Sequence, residues 1–431
     1  MKKKVLIFTY YFPPAGGVAV QRFLKFSKFL PQFGWEPIVV TVANGSYPYY
    51  DESLLKEISP ALKVYRTKTF EPFEFYNLLK GKRGKAMPVV AVGDGGAKSI
   101  FQRLSEYVRA NFFIPDARKG WVPYAIKQAE EILRTEKIDT IITTGPPHST
   151  HLIGLELKKK YGVKWLADFR DPWTKIFYNN ILPRTQATIE ADKRLEREVL
   201  TNADLVTVIS PGLQREFAYA AKKCRVICNG YDEEDFLKSE IRNLPAGKAG
   251  PKSEMFIVRY VGNLMASENP ENFWKAVAGL VKERKKIKIE LIGRIDNPVK
   301  ESIRANGIET ICDYKDFVEH KQATQLMQTC NLLLFLIPNV PDNKLILTGK
   351  LFEYLGSGTP LISFGPVDGD AAEILKQTGR TPMIAYNDFE ETKKQLAEAI
   401  NNQTSKLPAE YHSQFSRVKQ TEVLAGLLNE L

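Results

Sequence analysis

Two of the four histidines in this 431-residue chain stand three apart in TTGPPHSTH, Thr143 to His151. A polar triplet, Asp168, Arg170 and Asp171, follows in ADFRDPW, Ala167 to Trp173. His148 is suited to hydrogen-bonding a sugar hydroxyl, and Asp171 to orienting that histidine or an acceptor, which makes both candidate catalytic residues. A helix-capping turn at 148–151 and a local Asp/Arg ion pair are the alternatives. A further group lies in LTGKLFEYLGSGTPLISFG, Leu347 to Gly365. There Thr348 is placed to cap a helix from which Lys350 and Glu353, three apart, project together while Leu351, Phe352 and Leu355 turn inward. A lysine for a diphosphate beside a carboxylate for a ribose diol makes a nucleotide pocket; a surface ion pair is the alternative. Near the start, Gly16 and Gly17 in PPAGG allow a tight turn that brings helix N-terminal N–H groups up to a phosphate. There is no G-x-G-x-x-G, and no acidic residue closes the second apolar run, so NAD is not expected. Asp368-Gly369-Asp370 resembles a metal-binding triplet, but it precedes the helical run AAEILKQ and is read as capping or donor contact.

These residues sit at the ends of a regular alternation. Apolar, β-rich runs at 5–9, 37–42, 62–66, 140–144, 164–169, 205–209 and 225–228 are separated by helix-period stretches such as 18–33, 121–134, 150–161, 188–200 and 213–220. That pattern predicts βαβ units and a parallel, doubly wound sheet. The alternation pauses near Asp232 to Lys252 and resumes with strands at 256–261, 287–292, 332–336 and 361–364 and helices at 270–285, 322–329, 348–355 and 390–401. Two α/β domains joined by a linker are expected, with an amphipathic tail from Tyr411 to Leu431. Residues 70–120 break the pattern. Within them Ile100, Leu104, Tyr107 and Val108 fall near one helical face, read as packing on its own domain, with an interfacial helix touching lipid as the alternative.

Hydrophobic residues at 44% and charged residues at 26% exclude disorder, collagen and coiled coil. No apolar run approaches the roughly 20 residues that span a bilayer, and the basic start has the form of a strand rather than of a signal peptide. Cys224, Cys228, Cys312 and Cys330 lack zinc spacing, so reduced thiols in the cytoplasm and no metal site are expected. The net charge of +11 is concentrated: residues 1–240 hold 37 Lys+Arg against 27 Asp+Glu. Such a surface favours an anionic partner, an acidic leaflet or phosphorylated substrate rather than nucleic acid, for which no binding signature is present.

The ordered set YYFPPAGG, GPPHSTH, ADFRDPW, ADLVTVIS with VICNGYD, YVGNL, LIGRID and GKLFEYLGSGTP resembles that of the bacterial retaining glycosyltransferases of the group 1 (family four) type, along nearly the whole chain. The resemblance implies a GT-B architecture, two Rossmann-like doubly wound domains facing across a cleft. Residues 1–238 would bind the acceptor, 239–410 the nucleotide-sugar, and 411–431 would form a helix crossing back to the first domain. Gly16 and Gly17 match the loop near the donor phosphates, His148 the active-site histidine, Glu353 the ribose-binding glutamate, and Lys350 and Arg294 would contact the diphosphate. The implied activity is metal-independent sugar transfer with retention, from a UDP-sugar and without a cofactor. The acceptor would be a glycan or lipid-diphosphate in cell-surface polysaccharide synthesis. Peripheral contact of the basic domain with the inner face of the membrane is expected with it. The chain departs from the family pattern in places: Leu345 replaces a second glutamate, and Gly262-Asn263-Leu264 and Glu268-Asn269 stand where Arg and Lys are usual. They leave a non-catalytic scaffold of the same fold as one alternative; a nucleotide-sugar epimerase is the other.

Overall fold

The structure, a computed structural model, describes residues 3–47, 50–71, 100–176, 179, 182–237, 255–402 and 408–431. It divides into two units, one of Met1–Cys228 with Gln420–Leu431 and the other of Asn229–Lys419. The expected boundary at 238/239 and the run 81–98 lie outside the described residues.

The first unit is built on seven strands: β1 (Lys3–Phe8), β2 (Trp35–Val42), β3 (Lys63–Thr67), β4 (Thr140–Gly145), β5 (Lys164–Phe169), β6 (Leu205–Val208) and β7 (Cys224–Val226). All pair in parallel, in the order β3-β2-β1-β4-β5-β6-β7. The second unit has β8 (Phe256–Val261), β9 (Ile287–Ile292), β10 (Cys312–Lys315), β11 (Leu332–Leu336) and β12 (Leu361–Phe364), in the order β10-β9-β8-β11-β12 and again parallel. Parallel strands need crossover helices, which cover both faces, so central strands are buried along their length and read as unbroken apolar runs. Every residue of β4, TIITTG, and of β11, LLLFL, is buried. In each sheet the winding direction reverses beside the first strand, between β1 and β4 and between β8 and β11. The carboxyl ends at such a reversal form the crevice where open α/β sheets bind ligands.

Two elements escaped the sequence pattern. β10 buries only Cys312 of its four residues because it is an edge strand, and the helix Asn297–Ala305 buries only Val299 and Ile303. The run 411–431 divides into short 3₁₀ turns, Ala409–Tyr411 and Ser413–Phe415, and the helix Arg417–Asn429. In the helix Ile100–Phe112 the expected inward face is turned out: Leu104 is 57% exposed, Tyr107 43% and Val108 37%. The helix is held to its unit by a polar residue instead. Asn111 donates to the Pro183 carbonyl at 2.8 Å and accepts from Thr185 N and Thr188 Oγ1 at 2.7 and 2.8 Å.

Candidate functional site

In the first unit the residues of interest gather where β1, β4 and β5 end. Gly17 opens the helix Val18–Phe29 with φ of 89°, a left-handed value that a side chain would strain, and no side chain caps that helix. Gly16 is packed: a β-carbon there would meet Asp51 Cβ at 3.1 Å. Past β4, His148 is buried with its ring flat against Trp173, centroids 5.1 Å apart and planes at 6°. Its Nε2 lies 3.3 Å from the Pro172 carbonyl, and among the described residues its Nδ1 has no partner. Burial pushes its pKa down to about 3, with Arg170 adding to the effect, so the imidazole is neutral at ordinary pH. The tautomer that donates to Pro172 leaves Nδ1 as an acceptor for a hydroxyl.

The expected local pairing of Arg170 with its neighbouring aspartates is not what forms. Asp168 is buried and takes Arg22 instead, with Nη2 at 2.7 Å and Nε at 3.2 Å, and also accepts from Thr144 and Thr207. The Arg170 guanidinium goes to three carbonyls, those of Gly145, Ala19 and Pro146, and so ties the turn after β4 to the helix after β1. Asp171 is left half-buried without a hydrogen bond or ion pair among the described residues, and burial raises its pKa against the pull of Arg170. The 148–151 turn is capped from elsewhere. Asp116, not foreseen from the sequence, accepts from both Ser149 N and Ser149 Oγ, at 2.8 and 2.7 Å, and fixes the turn that carries His148.

In the second unit the helix Gly349–Ser357 begins beside the β8–β11 reversal. Thr348 is its N-cap residue, but the hydroxyl makes no capping bond and is buried without a partner among the described residues, so the first N–H groups stay open to an anion. Lys350 and Glu353 do not pair with each other. Lys350 bends toward the end of β8, where its Nζ donates to the Tyr260 hydroxyl and to the Asn263 carbonyl at 3.3 Å, and lies 4.5 Å from the Tyr260 ring centroid. Gly262 makes room for it, since a β-carbon there would meet Lys350 Cε at 2.5 Å. Glu353 is half-buried with no hydrogen bond or ion pair among the described residues; burial raises its pKa, while His320, Arg417 and Lys350 oppose the rise. Arg294 follows β9 on the adjoining loop, with its carbonyl accepting Leu264 N at 2.8 Å and its side chain 83% exposed. Lys350, Glu353 and the open helix terminus thus form one group, and Arg294 stands at its rim, its Nε 3.7 Å from Asp296 Oδ1. Glu268, also unforeseen as a site residue, is buried next to Tyr260 and Lys350. Asp370 enters the first turn of Asp370–Gln377, and Asp368 pairs with Lys344 at the surface. Among the described residues no cluster of His, Cys, Asp and Glu has the form of a metal site.

Residues 76–235 match the model of the family described as Glycosyltransferase Family 4. No curated protein matches the chain in sequence. Among solved structures, a glycosyltransferase from Rickettsia africae superimposes with a TM-score of 0.63 at 13% identity, covering 100% of this chain and 98% of its own. Anabaena Alr3699/HepE, solved in complex with UDP and glucose, gives 0.62 at 15% identity with 100% of both chains covered. The lipopolysaccharide outer core galactosyltransferase WaaB gives 0.57 at 14%, covering 99% of this chain and 100% of its own. Both units follow the fold of these proteins from end to end. Residues 76–235 thus resemble the Glycosyltransferase Family 4 model, and as a whole the chain has the GT-B fold of two Rossmann-like units.

Proposed function

We propose that this protein transfers a sugar from a nucleoside-diphosphate donor, a UDP-sugar, to a glycan or lipid-linked acceptor, with retention, in cell-surface polysaccharide synthesis. The observation that carries the reading is the group at the start of Gly349–Ser357: a lysine, a glutamate with no hydrogen bond or ion pair among the described residues, and open N–H groups at one strand reversal. Breaking a sugar–diphosphate bond builds negative charge on the leaving group. Fixed donors aimed at that charge, Lys350 and the helix terminus with Arg294 at the rim, lower the barrier, each by about 3 kcal/mol in well-ordered sites. Glu353 takes the ribose diol. In the first unit neutral His148 accepts from a sugar hydroxyl and Asp171 orients the acceptor; the departing phosphate serves as base, which is how retention would arise. These cations do the work of a metal, so turnover should survive EDTA. The exposed face of Leu104, Tyr107 and Val108 supports a lipid-linked acceptor and contact with a membrane surface, which sedimentation with anionic vesicles tests.

The deciding experiment is thermal unfolding with UDP, GDP, ADP, dTDP and NAD on wild type and Glu353→Ala. A ligand at 100 times its Kd adds about 2.7 kcal/mol and raises Tm by a few degrees. UDP should do so for the wild type alone. A shift with NAD only would overturn the assignment, and no shift at all would favour the scaffold reading that Leu345 and Asn263 suggest.

A further inference from the structure

Lys350, the cation assigned to the diphosphate, is already engaged. Its Nζ donates to the Tyr260 hydroxyl, whose own proton goes to the Asn263 carbonyl at 2.7 Å, and the Glu268 carboxylate lies beside that hydroxyl. Glu268 is 3% exposed and also accepts Met265 N at 3.0 Å. The groups facing it are Lys350 and Tyr354 from Gly349–Ser357, Tyr260 from β8, Asp296 beyond β9, and Tyr386, whose hydroxyl donates to the Ile337 carbonyl. Lys350 is the only cation of that set. A carboxylate buried this deeply keeps its charge only with a positive partner, and Asp296 adds repulsion.

We propose that Glu268 is an internal counter-ion for Lys350 which a donor's diphosphate must supplant, so that nucleotide-sugar binding is accompanied by proton uptake at Glu268. The inference rests on the reading of this group as the donor site. When the diphosphate takes Lys350, Glu268 is left buried beside new negative charge, and protonation relieves it. By linkage, binding that takes up a proton strengthens as pH falls, and a group that is neutral throughout removes the dependence. In Glu268→Gln the amide oxygen still accepts Met265 N and the Tyr260 contact is kept, so only the charge is lost.

Calorimetric titration of the full chain with UDP-glucose, GDP-mannose, ADP-glucose and dTDP-glucose at pH 6, 7 and 8 tests this. These diphosphates are diesters and do not titrate in that range. For whichever probe binds, the wild-type Kd should rise with pH by up to about tenfold per unit, with proton uptake visible as a dependence of the heat on buffer ionisation enthalpy. Glu268→Gln should bind with a flat profile and several-fold more tightly than wild type at pH 8. A flat wild-type profile, or weaker binding by Glu268→Gln at pH 8, would show that Glu268 is a structural cap and overturn the counter-ion role alone. A wild type that binds none of the four at any pH overturns both this role and the donor site.

Discussion

His148 combines a stacked, buried ring with one open nitrogen, and its protonation state follows from that burial. Its pKa near 3 in the folded chain lies below the roughly 6.5 of an unfolded histidine, so the unfolded state binds the extra proton. The contribution is therefore absent above pH 6.5, and stability is lost as pH falls from about 6.5 toward 3, by about 1.4 kcal/mol per unit. His148→Phe keeps a ring against Trp173 and removes this titration. Urea unfolding at pH 7 and pH 5 should show the variant gaining about 2 kcal/mol relative to wild type at the lower pH. An unchanged difference would mean that the imidazole is not held neutral. At this scale the sequence exposed residues that cluster locally: Lys350 and Glu353 share a helix, and His148 and Asp171 end neighbouring strands. Asp116 and Glu268 were hidden as site residues because each acts on a partner from another segment, Asp116 on Ser149 and Glu268 on Tyr260 and Lys350. Lys350 stands near Glu353 in sequence, but its stem reaches past Glu353 to β8 and the Tyr260 hydroxyl, a neighbour that helix spacing does not reveal.

The helix Val18–Phe29 illustrates how an element is fastened from inside. Arg22 and Asp168 are both buried, and Arg22 Nη1 also donates to the Cys228 carbonyl at 2.9 Å, so one side chain joins this helix to β5 and to the residue that ends the first stretch of its unit. Removing one partner of such a pair strands the other charge. Arg22→Met should destabilise by about 3–5 kcal/mol, and adding Asp168→Asn should recover part of that loss. Additive losses in chemical denaturation would show that the two residues act independently. The elements themselves were legible wherever they are buried on both faces, as in β4, β5, β8, β9 and β11. β10 and Asn297–Ala305 were not, because an edge strand with one buried side chain and a helix with two leave no periodic trace.

Across the whole molecule the first unit is discontinuous in sequence, since Gln420–Leu431 belongs with Met1–Cys228. The helix Arg417–Asn429 buries Leu424, Ala425, Leu427 and Leu428, and Lys3 Nζ donates to Asn429 Oδ1 at 2.9 Å, so the two ends of the chain meet in one unit. Deleting residues 420–431 should lower the unfolding temperature of the first unit while that of the second changes little, and calorimetry would resolve the two transitions. One broadened transition that shifts as a whole would show instead that the units unfold together. The order of synthesis gives this arrangement a further consequence. A ribosome releases all of the second unit before the last piece of the first, so the nascent amino-terminal half must wait, incompletely covered, through 191 further residues before it can close. Until residues 420–431 have emerged, apolar surface that they would cover on that half stays exposed to a chaperone.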